Sequence, residues 1–149
     1  MCDTVLVPLD GSKRAEAILP HVERLTRLCG AKVILLQVVD PSPRIEVPEE
    51  FNMVLHQRQL ERLAQQAQDY LGSLEDESCE KGIIARKRIV HGPVVDAILT
   101  TADREQADLI AIASHGRTGL AQVFYGSVAA GVLHRIDRPL LLIRSREGE

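Results

Sequence analysis

The sequence predicts an α/β fold: one doubly wound, five-stranded parallel sheet with helices on both faces. Two observations lead to this class. Five short runs of β-branched and apolar residues have the composition of strands buried on both faces. Each of the first four runs is followed by a segment with helical periodicity. Strands that alternate with helices pair in parallel through right-handed crossovers, so the order βαβαβαβαβ predicts a single domain over residues 1–149.

The first strand and helix occupy the N-terminal thirty residues. Thr4–Pro8 is apolar and predicts a buried strand, after which Ser12 is a candidate N-cap. Apolar residues then recur at helical spacing until Gly30, which is expected to end the helix in a left-handed conformation. Pro20 falls inside this pattern, and we expect it to kink one continuous helix rather than divide it. The second strand is 32–39.

The middle of the chain supplies the longest helix and the third strand. Three prolines predict a loop over 41–48, and a helical pattern follows from about Glu50 to Glu80. The third strand, Ile83–Val90, contains three consecutive basic residues, which is typical of an exposed sheet edge. Pro93 suits the first position of the third helix.

The C-terminal third repeats the alternation. Asp108–Ala113 predicts the fourth strand, and 114–119 is a polar loop that contains glycine. The fourth helix is predicted over 121–136. Leu140–Ile143 predicts the last strand, short and apolar.

Composition and charge exclude several classes of protein. Hydrophobic residues make up 45% of the 149 residues and charged residues 26%, as in ordinary globular domains. The formal net charge of −3, from 18 basic and 21 acidic residues, gives no basic footprint for nucleic acid or an anionic membrane. There is no secretory signal pattern, and no apolar run approaches the roughly 18 residues of a membrane span. We therefore expect a cytoplasmic protein that binds neither nucleic acid nor membrane.

Metal and catalytic motifs are not evident. Cys2, Cys29 and Cys79 are far apart and show no metal or redox spacing, so we interpret them as free thiols. The histidines lack the spacing of metal ligands, and no G-x-S-x-G motif marks a nucleophilic serine. His115 is interpreted as a loop histidine near a ligand or solvent rather than as a general acid or base.

A candidate phosphate site lies between the fourth strand and the fourth helix. In a doubly wound sheet, ligands bind beyond the carboxyl ends of the strands, where the segments 8–11, 38–40 and 113–119 meet. Gly116 and Gly126 allow backbone amides to approach an anion, and a helix N-terminus adds unpaired N–H groups. Ser127 offers a hydroxyl and Arg117 a positive charge.

Plainer interpretations of these residues remain open. A single glycine between a strand and a helix is more often a tight turn, and Gly126 alone is equally an N-cap or a helix-packing residue. Asp10 is equally a turn residue. The spacing of the two glycines favours the phosphate site, although it is neither a Rossmann G-x-G-x-x-G nor a P-loop motif.

The chain resembles the universal stress protein family over essentially its whole length. The resemblance rests on the segments 8–12, 108–119, 125–129 and 138–143. It implies the strand order 3-2-1-4-5. The ATP-binding branch of that family has the motif Gly-x2-Gly-x9-Gly-[Ser/Thr], which this chain matches at Gly116, Gly126 and Ser127. Ala113 replaces the first glycine, and alanine would cost about 1 kcal/mol or more if that position needs a positive φ.

The resemblance implies an ATP site, with Mg²⁺ or Mn²⁺ as the accompanying cation. Adenine and ribose would lie near Pro8, Asp10 and Val38, and the phosphates near the glycines. The implied nucleotide-binding residues are Pro8, Leu9, Asp10, Val38, Ala113, Ser114, His115, Gly116, Arg117, Thr118, Gly119, Gly126, Ser127 and Val128.

The resemblance also implies an ATP-binding regulatory protein of the stress response. It would form a homodimer by antiparallel pairing of the Leu140–Ile143 edges and signal to a further protein partner. Hydrolysis would be slow, because no convincing water-positioning carboxylate is evident at the phosphate end. The alternatives are a nucleotide-independent interaction module of the same family and, less favoured, a slow nucleotide hydrolase.

Overall fold

The computed structural model describes residues 2–40, 49–116 and 126–146. A short 3-10 helix, Ala15–Ile18, precedes α1. The other elements, in chain order, are β1 (Thr4–Leu9), α1 (Leu19–Cys29), β2 (Lys32–Val39), α2 (Glu49–Glu80), β3 (Ala85–His91), α3 (Val94–Arg104), β4 (Leu109–Gly116), α4 (Ser127–Arg135) and β5 (Leu140–Arg146).

The five strands form one sheet in the order β3-β2-β1-β4-β5, and all four pairings are parallel. The predicted fold class and strand order are therefore confirmed. β1 lies at the centre of the sheet and all six of its residues are buried. The connections from β1 to β2 and from β3 to β4 run in opposite directions along the sheet, so the order reverses between β1 and β4.

Helices cover both faces of the sheet and bury two cores. On one face, α1 and α2 pack on the odd-numbered residues of β1, such as Val5 and Val7, through Val22 and Leu71. On the other face, α3 and α4 enclose a core that contains Leu6, Ile34, Ile98, Ile110 and Val132, each completely buried. The period-two alternation of a strand assigns neighbouring residues of β1 to opposite cores.

The chain around Pro20 differs from the prediction of one kinked helix. The structure has two elements there, the 3-10 helix Ala15–Ile18 and then α1, with Pro20 in the first turn of α1. A proline in the first turn removes no intrahelical hydrogen bond, so the expected cost of an interior proline does not arise. Gly30 ends α1 in the predicted left-handed conformation, with φ 71°.

Several other boundaries also differ from the prediction. β4 extends to Gly116 and β5 to Arg146, because the two strands stay paired through that register position. Part of the predicted 114–119 loop is therefore strand. α4 begins at Ser127 rather than near residue 121, and 117–125 lie outside the described residues. Pro93 is the N-cap of α3 rather than its first helical residue.

Arg138 joins the end of α3 to the beginning of β5. Its Nη1 donates to the carbonyl oxygens of Ala102 at 3.0 Å and Ala107 at 2.9 Å, and its Nη2 pairs with Asp103. The Arg138 side chain is only 16% exposed, so these bonds are largely shielded from water. One of these carbonyls, Ala102, lies in the last turn of α3, where intrahelical partners are lacking, and the other, Ala107, lies in the segment between α3 and β4.

Two helical glycines differ in what an added methyl group would meet. A Cβ on Gly131 of α4 would lie 2.7 Å from Val95 Cγ2 of α3, whereas a Cβ on Gly72 of α2 would meet only Lys87 Nζ, at 3.5 Å. Gly72→Ala is therefore expected to raise the free energy of unfolding by about 0.5–1 kcal/mol through helix propensity. Gly131→Ala is expected to lower it by about 1–2 kcal/mol through overpacking.

Urea denaturation of both variants measures the difference. Equal stabilisation by the two substitutions would contradict the close contact between α3 and α4.

Candidate functional site

A cavity of about 190 Å³ opens at the carboxyl ends of β1, β2 and β4. The first turns of α3 and α4 form its other walls. This is the reversal point of the strand order, where doubly wound folds bind their ligands. The volume far exceeds the roughly 30 Å³ that one water occupies in the liquid, so the cavity accommodates an organic group rather than a single water.

Nine of the fourteen predicted site residues line this cavity. They are Pro8, Leu9, Asp10, Val38, Ala113, Ser114, Gly126, Ser127 and Val128. His115 and Gly116 are the last two residues of β4, immediately beyond Ser114. Arg117, Thr118 and Gly119 lie outside the described residues. The cavity thus brings together residues that are more than 100 positions apart in the sequence.

Six further lining residues were not predicted, and all are apolar. They are Ala15, Leu36, Val94, Ile98, Ile112 and Ala129. The sequence contained a signal for some of them. Leu36 lies two residues before Val38, and therefore on the same face of β2. Val94 and Ile98 are one helical turn apart at the start of α3, directly after the glycine and proline that follow β3.

Asp10 forms a local turn at the rim of the cavity. Its Oδ1 accepts the backbone N–H of Ser12 at 2.9 Å and the Ser12 hydroxyl at 2.5 Å. The Ser12 Oγ in turn accepts the N–H of Ala15, at 3.2 Å. The interpretation of Asp10 as a turn residue is therefore correct. Its role in nucleotide binding stays a prediction, because Asp10 also lines the cavity. Ser12 stabilises the start of the 3-10 helix rather than α1.

Gly126 gives α4 an open N-terminus at the mouth of the cavity. It is the N-cap of α4 with φ 44° and ψ 152°, a conformation that favours glycine. No side chain of the described residues caps the helix, and Ser127 is exposed. The first N–H groups of α4 are therefore available, with the partial positive charge of the helix end, to bind an anion.

Val38 lines the cavity, and the strand register indicates where its carbonyl group points. Backbone groups alternate sides along a strand, so Val38 faces the same neighbour as Lys32, whose N–H donates to the Asp3 carbonyl at 2.9 Å. The register of β2 with β1 ends at the pair Leu9–Gln37, one residue earlier. The Val38 carbonyl consequently points past the end of β1, where an acceptor can meet a ligand.

Ala113 carries no backbone strain. It lies inside β4, paired with Ile143, and it is not among the residues of the described chain with a positive φ. Alanine would be costly in place of the motif glycine only if this position needed a positive φ, and it does not. Ala113 is also one of the residues that line the cavity.

The chain belongs to the universal stress protein family, whose family model matches residues 1–144. It is 28% identical to universal stress protein MJ0577 of Methanocaldococcus jannaschii over 158 aligned positions, covering 98% of this chain and 97% of the relative. The solved structure of MJ0577 superposes with a TM-score of 0.83 and covers 99% of each chain.

Two more distant structures share the fold. One is a universal stress protein in complex with cAMP, which has a TM-score of 0.62 at 22% identity and covers 97% of this chain and 98% of its own. The other is a family member from Arabidopsis thaliana with AMP bound, with a TM-score of 0.66 at 21% identity, covering 99% of this chain and 94% of its own.

Within the described ranges, no helix is long and apolar enough to cross a membrane. In the same part of the chain, no three His, Cys, Asp or Glu side chains are grouped so that they could hold a metal ion.

The substitution Ala113→Gly tests whether this position is strained. Because the backbone is ordinary strand, glycine is expected to lower the free energy of unfolding by about 0.5–1 kcal/mol. Ala111→Gly in the same strand is the control, and its cost should be larger because Ala111 is completely buried. Thermal unfolding compares them, and a rise in stability for Ala113→Gly would reveal strain.

Proposed function

We propose that this family member is a regulatory protein that binds ATP in the cavity at the ends of β1, β2 and β4 and acts as a homodimer. The observation that carries the proposal is the open N-terminus of α4 at Gly126, next to an apolar cavity. One part of that site suits phosphate and the other suits a flat, largely apolar base.

The apolar part of the cavity suits the adenine base. Its walls include Leu36, Ile98 and Ile112, which exclude water from the faces of a ring. The Val38 carbonyl can accept a hydrogen bond from the 6-amino group of adenine. Guanine has a carbonyl oxygen at that position, and two acceptors would face each other. This arrangement favours ATP over GTP.

The start of α4 suits the triphosphate. Its first N–H groups, which no side chain of the described residues caps, and the exposed Ser127 hydroxyl are donors for phosphate oxygens, and Gly126 has no Cβ to obstruct them. We expect Arg117 and Thr118, outside the described residues, to contact the same group. Mg²⁺ or Mn²⁺ would bind with the nucleotide, because such ions are held by phosphate oxygens and water together with one or two protein ligands.

Ligands of two structural relatives belong to the same chemical class. The relative with cAMP and the Arabidopsis relative with AMP both hold adenine mononucleotides. At 22% and 21% identity, these likenesses concern the fold alone. The assignment of ATP to this chain therefore rests on its own cavity and on the open end of α4.

A regulatory role is favoured over rapid catalysis. Asp10 is the only carboxylate among the described lining residues, and its Oδ1 already accepts two hydrogen bonds from Ser12. Hydrolysis of a phosphoanhydride needs a group that positions or activates water at the γ-phosphate. We therefore expect hydrolysis to be slow. The bound nucleotide would instead set the conformation that a further protein partner recognises.

Titration with Mg-ATP, Mg-GTP and Mg-AMP tests the nucleotide site. Calorimetry measures the affinity, and the melting temperature reports stabilisation of the folded state by the bound nucleotide. ATP is expected to raise the melting temperature according to its saturation, and GTP is expected to have little effect. Gly126→Val should weaken the binding of ATP at least tenfold, because it places a branched side chain at the helix end and strains a backbone with φ 44°.

Gly30→Val is the matched control for this substitution. Gly30 also has a positive φ, 71°, and nothing lies within 4 Å of its added Cβ. It should destabilise the fold and leave ATP affinity unchanged. Equal affinity in wild type and Gly126→Val would overturn the site, and no binding to wild type would favour the nucleotide-independent interaction module. Rapid, saturable phosphate release would identify a hydrolase.

The two edges of the sheet differ in their capacity to pair with a second copy. At the β3 edge, Arg86 and Lys87 are basic, and Glu75 of α2 accepts the Lys87 backbone N–H at 2.9 Å. At the β5 edge, Leu140–Ile143 are apolar and each is partly exposed. Leu142 packs in neither of the two cores. β5 has a strand neighbour on one side only, so its apolar free edge is suited to antiparallel pairing with β5 of a second copy.

Leu142→Lys tests the proposed dimer. Like charges brought together across a two-fold axis should oppose association, so sedimentation is expected to report a monomer at concentrations where wild type is a dimer. Ile84→Lys, at an apolar residue that is 64% exposed elsewhere, is the control and should remain dimeric. A monomeric wild type, or a dimeric Leu142→Lys variant, would contradict pairing through β5.

A further inference from the structure

Two cysteines meet at the end of the sheet opposite the cavity. β1 and β2 are parallel, with Thr4 beside Lys32, and the Lys32 N–H donates to the Asp3 carbonyl at 2.9 Å. Two steps back along both chains from that pair, the same register leads to Cys2 on one chain and Gly30 on the other. Gly30 turns the chain with φ 71° directly after Cys29, the last residue of α1. The backbone thus brings residues 27 positions apart together.

The segment that carries Cys2 is held in place before β1 begins. Asp108 Oδ2 accepts the N–H of Asp3 at 2.8 Å and the N–H of Thr4 at 2.9 Å. These two bonds hold the pKa of the Asp108 carboxyl below its ordinary value. Cys2 itself is partly buried against the core that α1 and α2 form. Its position is therefore fixed by the fold.

The Cys29 thiol is near enough to Cys2 to affect the pKa of the Cys2 thiol. Burial raises the pKa of the Cys2 thiol, and the Cys29 thiol raises it further through charge and a side-chain hydrogen bond, with a contribution from Asp108. Cys29 is exposed and Cys2 is half-buried, so Cys29 is the more accessible residue of the pair. Cys79, the third cysteine, is also exposed.

We propose that Cys2 and Cys29 form a reversible intramolecular disulfide when the protein meets a peroxide. Sequence spacing alone gave no sign of this, since the pair exists only through the parallel register of β1 and β2. A metal ion is a poorer occupant of the dithiol, because no third ligand joins it to form a metal-holding group among the residues that the structure describes.

The chemistry balances with hydrogen peroxide as the oxidant. The exposed Cys29 thiolate attacks one peroxide oxygen, so that an S–O bond forms, the O–O bond breaks, and hydroxide leaves to become water. The Cys2 sulfur then attacks Cys29 Sγ, so that the S–S bond forms and the S–O bond breaks. The second hydroxide takes the Cys2 proton and leaves as water. Two thiols and one peroxide give a disulfide and two waters.

The test treats the reduced full-length chain with stoichiometric hydrogen peroxide. Two of its three thiols should become unreactive to a thiol reagent, while the chain stays a single-chain species on a non-reducing gel. A peptide map should join residue 2 to residue 29, and a dithiol reductant should reverse the change. The melting temperature should rise by roughly 5–10 °C, because the bond constrains the unfolded chain.

Single substitutions distinguish this pair from other thiol chemistry. Cys79→Ser is the matched control and should oxidise like wild type. Cys29→Ser should lose bond formation. Cys2→Ser should accumulate sulfenic acid at Cys29, trapped by dimedone, because the resolving thiol is gone. Oxidation confined to Cys79, cross-linked chains as the main product, or equal rates in folded and urea-unfolded protein would each overturn the proposal.

Discussion

The structure depends on the parallel pairing of β1 with β2 on one side and β4 on the other. Six consecutive buried residues of β1 can be accommodated only where helices cover both faces. The sheet order reverses beside β1, so the chains that leave β1 and β4 turn away to opposite faces. The cavity lies in the space between them. The position of the site thus follows from the sheet order, and its apolar walls include residues from both cores, such as Leu9 from one and Ile98 from the other.

Much of the fold was predictable because strands and helices have different periods. β2 was predicted at its observed bounds, and the left-handed cap at Gly30 followed from its residue type. The errors fall where local signals compete with long-range pairing. Nothing local indicates that β4 continues to Gly116, because its last residues are polar and are held in the sheet by β5. The effect of Pro20 was predicted incorrectly because the sequence does not show that α1 begins only at Leu19, which puts Pro20 in the first turn.

The candidate site was predictable in part, for a similar reason. Residues that stand directly after strands, such as Pro8 and Asp10, were identified because the carboxyl ends of parallel strands converge at one edge of a sheet. Ile98 was missed, since its apolar spacing on α3 indicates only that it is buried. Whether a buried residue touches the core or a cavity depends on the depth at which the helix crosses the sheet. That depth follows from packing between α3 and α4, where Gly131 approaches Val95.

The contrast between the two sheet edges bears on how far such a protein assembles. A sheet whose two edge strands are both free allows copies to add at each edge without limit, as in fibres. At the β3 edge, Glu75 binds the Lys87 N–H and basic side chains lie beside it, which disfavours the addition of a strand there. If copies pair through β5 as proposed, each molecule has used its one apolar edge once two have met. Assembly would then stop at a closed pair rather than continue into a polymer.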